Sequence, residues 1–182
     1  MRTRFREDKA TQAAARILRQ AGGRMEYLKL IKLLYLCERE SLVRLGSPLT
    51  YDACWSLPYG PILSATLDRV NQQQLYRGGY WDRHVAPKDH YHVALRAGDV
   101  PNDQLSPAEE ELIDHVVAEY GHLPQWELVE LTHRLPEWEN PNGSALPIDP
   151  AVILRSEGYT EEEIEAVMED WAEAALAQSL AG

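Results

Sequence analysis

Apolar residues recur along this chain at two periods, and the switches between them mark out its elements. Over residues 7–21, Ala10, Ala13, Ala14, Ile17, Leu18 and Ala21 return at helical spacing, and Gly22-Gly23 ends the run. Residues 25–45 are apolar on nearly every face, through Leu28, Leu30, Ile31, Leu33, Leu34, Tyr35 and Leu36. A helix of that kind belongs in the middle of a core. Gly46 stands at its C-terminal cap position. Residues 49–56 alternate enough for a short strand. Pro58 to Pro61 reads as irregular, because the residue before each proline is pushed out of α geometry. Pro61 then stands where a helix can begin, with Ile62, Ala65, Leu67 and Val70 on one side.

Residues 80–86 and 90–96 read as a hairpin turning at Pro87-Lys88-Asp89. After a linker at residues 98–103, Ser106-Pro107-Ala108-Glu109 combines a cap, a proline at the first helical position and a capping-box glutamate. Leu112, Ile113, Val116, Val117 and Tyr120 form that helix's core stripe, and Gly121 stops it. Residues 124–133 predict a further short helix, with Trp126, Leu128, Val129 and Leu131 as its apolar residues. Residues 135–149 hold three prolines and a glycine and read as mostly loop. Thr160 with Glu163 opens a last helix striped by Ile164, Val167, Met168, Trp171 and Ala175. The fold class expected is mainly α (α+β): a single-domain helical bundle over residues 1–182, around a central apolar helix, with a small antiparallel β-sheet or hairpin. Residues 150–182 form a C-terminal acidic helical extension.

Composition narrows this picture. A chain of 182 residues buries roughly 70% of its unfolded surface, enough for a core without staples. No run of about 18 apolar residues occurs, so no membrane span or membrane partner is expected. The charged start from Met1 to Lys9 is followed by no uninterrupted apolar run, which predicts a cytoplasmic protein. Cys37 and Cys54 read as buried thiols rather than a disulfide. Charge is split: residues 1–100 carry sixteen Lys/Arg against ten Asp/Glu, residues 101–182 two against nineteen. Either a charged partner meets the acidic half, or the basic first helix pairs with the acidic last one inside the molecule.

Reaction chemistry is not visible. Walker A, G-x-G-x-x-G, G-x-S-x-G and H-E-x-x-H motifs are all missing. His90 and His92 would share one strand face, but no third ligand accompanies them, so no metal and no cofactor is expected. Glu109–Glu111 and Glu161–Glu163 sit at helix N-termini, where the dipole favours them. His133 could line a pocket, but it reads rather as locking a helix end onto the core through a backbone carbonyl. Trp55 and Tyr59 read as core or cleft wall.

Leu30-Ile31-Lys32-Leu33-Leu34-Tyr35, Gly46-Ser47-Pro48-Leu49, Trp55 with Tyr59-Gly60-Pro61, and Leu105-Ser106 to Tyr120-Gly121 followed by Leu131-Thr132-His133 and Pro136-Glu137-Trp138 stand in one order. In that order they resemble the Panacea domain, the SocA-like antitoxin family of bacteria and their phages. The resemblance covers roughly residues 9 to 140. Glu137 separates Pro136 from Trp138, which the family holds closer together, and the helix after Thr160 lies beyond the match. The resemblance implies an antitoxin that neutralises a cognate protein toxin by direct binding, without enzymatic activity. Tyr35, Gly46, Pro48, Trp55, Gly60, Pro61, His133 and Pro136 are then its structural motif positions.

Candidate partner contacts are Trp55, Tyr59 and Trp138 as apolar anchors. Glu161, Glu162, Glu165 and Glu169 are the acidic complement of a basic toxin. One alternative is an adaptor delivering the toxin to a protease. Another is a DNA-binding regulator, in which the first two helices imitate a helix-turn-helix with nine basic residues between Met1 and Lys32. Against it, a recognition helix needs an exposed polar face, and the second helix is too apolar.

Overall fold

The computed structural model describes residues 5–180; Arg2 and Arg4 of the basic N-terminal segment lie outside these. Helix α1 (Glu7–Gln20) buries Ala10, Ala13, Ala14, Ile17 and Leu18, as its periodicity predicts. Helix α2 (Tyr27–Leu45) is the axis of the fold. Its residues 30–39 are buried without interruption, and they include Lys32, Glu38 and Arg39. Gly46 caps it in the left-handed region (φ 70°). Only glycine takes that conformation without a steric cost. The helix starts two residues later than expected, because Arg24–Glu26 is a strand, β1.

Two small antiparallel sheets flank α2. In one, β1 pairs with β4 (His92–Ala94). In the other, β2 (Cys54–Leu57) lies between β3 (Gly60–Leu63) and β5 (Leu146–Pro147). Two expectations are corrected here. The strand expected over residues 49–56 begins only at Cys54. Pro61 does not open a helix but stands in β3, an edge strand, where its missing N–H is tolerated. Helix α3 (Ser64–Asn71) follows it, and the Asp52 carboxylate accepts from the amides of Ala65 and Thr66, both at 2.8 Å.

The hairpin expected at 80–96 does not form. Tyr80–His84 is helix α4, β4 takes β1 as its partner, and only a single bridge joins Val85 to Leu95. The cause is non-local. Trp81 is fully buried, and its amide donates to a carboxylate oxygen of Glu7 at 2.9 Å. His90 sits in the left-handed region outside β4, so it shares no strand face with His92.

Helix α5 (Pro107–Tyr120) carries the predicted capping box between Ser106 and Glu109. Helices α6 (Gln125–His133), α7 (Pro150–Ser156) and α8 (Glu161–Leu180) complete the chain. The part of residues 135–149 that reads as loop contains β5. Thr160 and Glu163 exchange the bonds of the second predicted capping box. Ile153, Leu154 and Ile164 join the same hydrophobic cluster as α1, α2 and α5. The basic face of α1 does find an acidic partner, but on α5: Arg16 holds Asp114 at 2.7 Å and Glu110 at 3.1 Å. Cys37 is buried and Cys54 half-buried, and both are free thiols. No helix among the described residues is long and apolar enough to cross a membrane.

Candidate functional site

The β2–β3 hairpin and the segment from α6 to Trp138 close upon one another. Gly60 makes this approach work. Its φ is +97°, and a Cβ there would stand 2.8 Å from Thr132 Oγ1 and 2.9 Å from Lys32 Nζ. Both the conformation and the space therefore demand glycine. Lys32 Nζ donates to the Pro61 carbonyl at 2.8 Å. The Lys32 side chain is fully buried, and burial pushes its pKa down to about 7. His133 Nε2 donates to the Pro58 carbonyl at 3.0 Å, the locking role expected of it. Trp138 Nε1 donates to the Leu57 carbonyl at 3.1 Å. The His133 ring lies 4.2 Å from that of Trp138. Helix α2 and the segment from α6 to Trp138, distant in sequence, thus fasten one hairpin tip.

An aromatic pair projects from that tip. Tyr59 is 60% exposed and Trp126 54% exposed, with ring centroids 5.6 Å apart in an edge-to-face arrangement. Exposed paired aromatics of this kind are the raw material of a protein-binding hot spot. Trp126 corrects the sequence reading, in which it belongs to the apolar stripe of α6. The buried residues of that helix are Leu128, Val129 and Thr132, and Trp126 falls to the side of them. Tyr59 stands in this patch, while Trp138 lies half-buried beneath it. Trp55 is separate: it lines a cavity on the other strand edge, beside β5.

Beneath the hairpin lies a buried ionic knot that local sequence does not reveal. Glu137, whose side chain is fully inaccessible, accepts from Tyr35 Oη and from Arg39 Nε, each at 2.8 Å. Arg39 also holds Glu157 at 2.7 Å. The residue that separates Pro136 from Trp138 is therefore the anchor between the α6 segment, α2 and the turn after α7. Nearby, Glu38 Oε2 accepts from the amide and hydroxyl of Thr50 at 2.8 and 2.9 Å. Burial pushes the Glu38 carboxyl up to about 8, so it is largely protonated at neutral pH. Its Oε1 has no hydrogen-bond partner among the described residues.

The cavity itself, about 660 Å³, opens between α2, β2, β5 and the start of α3, and α8 lies across it. Tyr51, Trp55 and Trp171 supply its aromatic wall. Glu161, Glu162, Glu165 and Glu169 are exposed on α8. Glu161 bonds Arg155, 2.6 Å away. No group of three or more His, Cys, Asp or Glu side chains among the described residues is placed to hold a metal ion.

One family model, described as antitoxin SocA-like, Panacea domain, matches residues 30–139. No curated protein and no solved structure matches the chain.

Proposed function

The chain belongs to the SocA-like antitoxin, Panacea-domain family, and on that premise we propose that it neutralises a cognate protein toxin by binding it directly. The supporting observation is the convergence of the family-matched segments on one fastened hairpin tip. That tip presents Tyr59 and Trp126 to solvent, and both fall within residues 30–139. A rigid tip with two exposed aromatics offers binding area at little ordering cost. The acidic C-terminal half adds long-range attraction for a basic partner. No enzymatic role is part of this reading.

The DNA-binding alternative loses its recognition helix. α2 is buried from Leu30 to Arg39 and has no free face to lay in a groove. Expression of the adjacent toxin gene, with and without this protein, tests the proposal. Growth should be restored by the wild-type chain and not by Tyr59→Ala/Trp126→Ala. Toxin abundance should stay level, as expected of an inhibitor, whereas a fall in abundance on rescue would favour the protease-adaptor alternative.

A further inference from the structure

Helix α8 lies over a groove that it fills badly. Its apolar stripe, Met168, Trp171, Ala172 and Ala175, recurs at helical spacing and faces walls formed by Leu42, Tyr51, Trp55 and Ile153. Yet about 660 Å³ stays open under the helix. Close-packed interiors leave few voids larger than a water molecule. Two polar atoms at this contact also go unsatisfied: neither Trp171 Nε1 nor Glu38 Oε1 has a hydrogen-bond partner among the described residues. Tyr51, edge-to-face with Trp171 at 6.1 Å, is held at φ +56°, a costly conformation for a bulky side chain.

Charge is mismatched as well. The groove wall carries Asp52 and Asp68, beside the protonated Glu38, against Arg39, and Arg39 is already engaged by Glu137 and Glu157. α8 carries seven carboxylates and no basic residue, and it meets the groove only through apolar side chains. The family-matched span supplies Glu38, Leu42, Tyr51, Trp55 and Asp68, whereas α8 lies beyond it. We propose that this groove is the seat of a basic amphipathic helix of the protein partner, and that α8 is a displaceable stand-in for it. A helix with the same apolar spacing and Lys or Arg on its flanks keeps the apolar contacts and adds attraction to the acidic wall at Asp52 and Asp68. It also brings a hydrogen-bond donor toward Glu38 Oε1, which has none among the described residues. The identity of the partner rests on the antitoxin reading; the groove's preference does not.

The test uses the full chain and three fluorescent peptides. The first has the sequence of residues 160–177. The second carries Glu162→Lys, Glu165→Lys, Glu169→Lys and Glu173→Lys. The third adds Met168→Ser and Trp171→Ser to the second. At low salt the second peptide should bind about tenfold or more tighter than the first, and raised salt should shrink the difference. The third should bind far more weakly than the second. In Trp171→Ala chain, whose α8 is loosened, affinity for the second peptide should rise. A thiol reagent should label Cys54, which lines the groove, faster there than in wild type, and the bound peptide should slow it. The fully buried Cys37 serves as a folding control. Equal binding of the second and third peptides would mean attraction to an acidic surface only and would overturn the proposal. So would no binding of the second peptide, or a doubling of mass in Trp171→Ala chain that excludes it and assigns the groove to a second copy. If the peptides behave as expected and no toxin complex forms, the antitoxin reading fails alone.

Discussion

Removing the Glu137 carboxylate should be the most damaging single change in the matched region. Glu137→Ala strips two bonds of 2.8 Å from groups that cannot reach water: Tyr35 is fully buried, and the Arg39 side chain is 7% exposed. An orphaned buried hydroxyl costs about 1–3 kcal/mol. Breaking one side of a buried ion pair costs about 3–5 kcal/mol, because the remaining charge stays desolvated. Arg39 keeps Glu157, which is 37% exposed and only partly compensates. The total should fall near 3–5 kcal/mol rather than the sum, which for a chain of this size lowers Tm by roughly 6–20 °C. Glu157→Ala, at the solvated end of the same knot, should cost at most about 1 kcal/mol. Urea denaturation of both variants, with thermal melts, measures this. A Glu137→Ala midpoint within about 1 kcal/mol of wild type, or a larger loss in Glu157→Ala, would refute the assignment of Glu137 as the anchor.

Gly60→Val should destabilise by about 1–3 kcal/mol through φ alone, with more if Lys32 and Thr132 cannot yield; an unchanged melting temperature would remove the hairpin from its structural role. Stability should also depend on pH through two buried groups of α2. Between 4.5 and about 8 the folded chain keeps a proton on Glu38 that the unfolded chain has released, so stability falls as pH rises, and Glu38→Gln should flatten that limb. Between about 7 and 10.5 the unfolded chain holds a proton on Lys32 that the folded chain lacks, so stability rises, and Lys32→Met should flatten that one; urea midpoints across pH check both. Changing Glu161, Glu162, Glu165 and Glu169 to glutamine should slow toxin association severalfold at low salt, with little effect at moderate salt. Identical association rates for both chains at both salt concentrations would show that α8 contributes no steering.

Much of the helical frame was legible, because its signals are local. The all-round apolar run of α2, the two capping boxes and the glycine after Leu45 each act within a turn or two. The sheets were less so. β1 and β4 are three residues each and join segments more than sixty residues apart. α4 is fixed by Glu7 reaching Trp81 across the fold, so the alternation over residues 80–86 misleads. Pro61 reads equally well as a helix start and as an edge-strand residue, and only the register with Ser56 decides. The functional surface divides in the same way. Tyr59 and His133 were visible as motif residues. Trp126 was hidden in a helix stripe, and Glu137 looked like an interruption because its partners, Tyr35 and Arg39, lie on a distant helix. The burial of Lys32, Glu38 and Arg39 runs against their chemistry and follows only from the central place of α2.

The account rests most directly on stoichiometric inhibition. Purified chain should be titrated into the purified product of the adjacent toxin gene, with toxin activity and complex mass followed together. The expected result is a defined complex with activity lost in proportion to it, and Tyr59→Ala/Trp126→Ala chain, folded as judged by its melting temperature, should fail on both counts. Full toxin activity in excess wild-type chain, with no complex formed, would contradict the claim that this protein acts by direct binding.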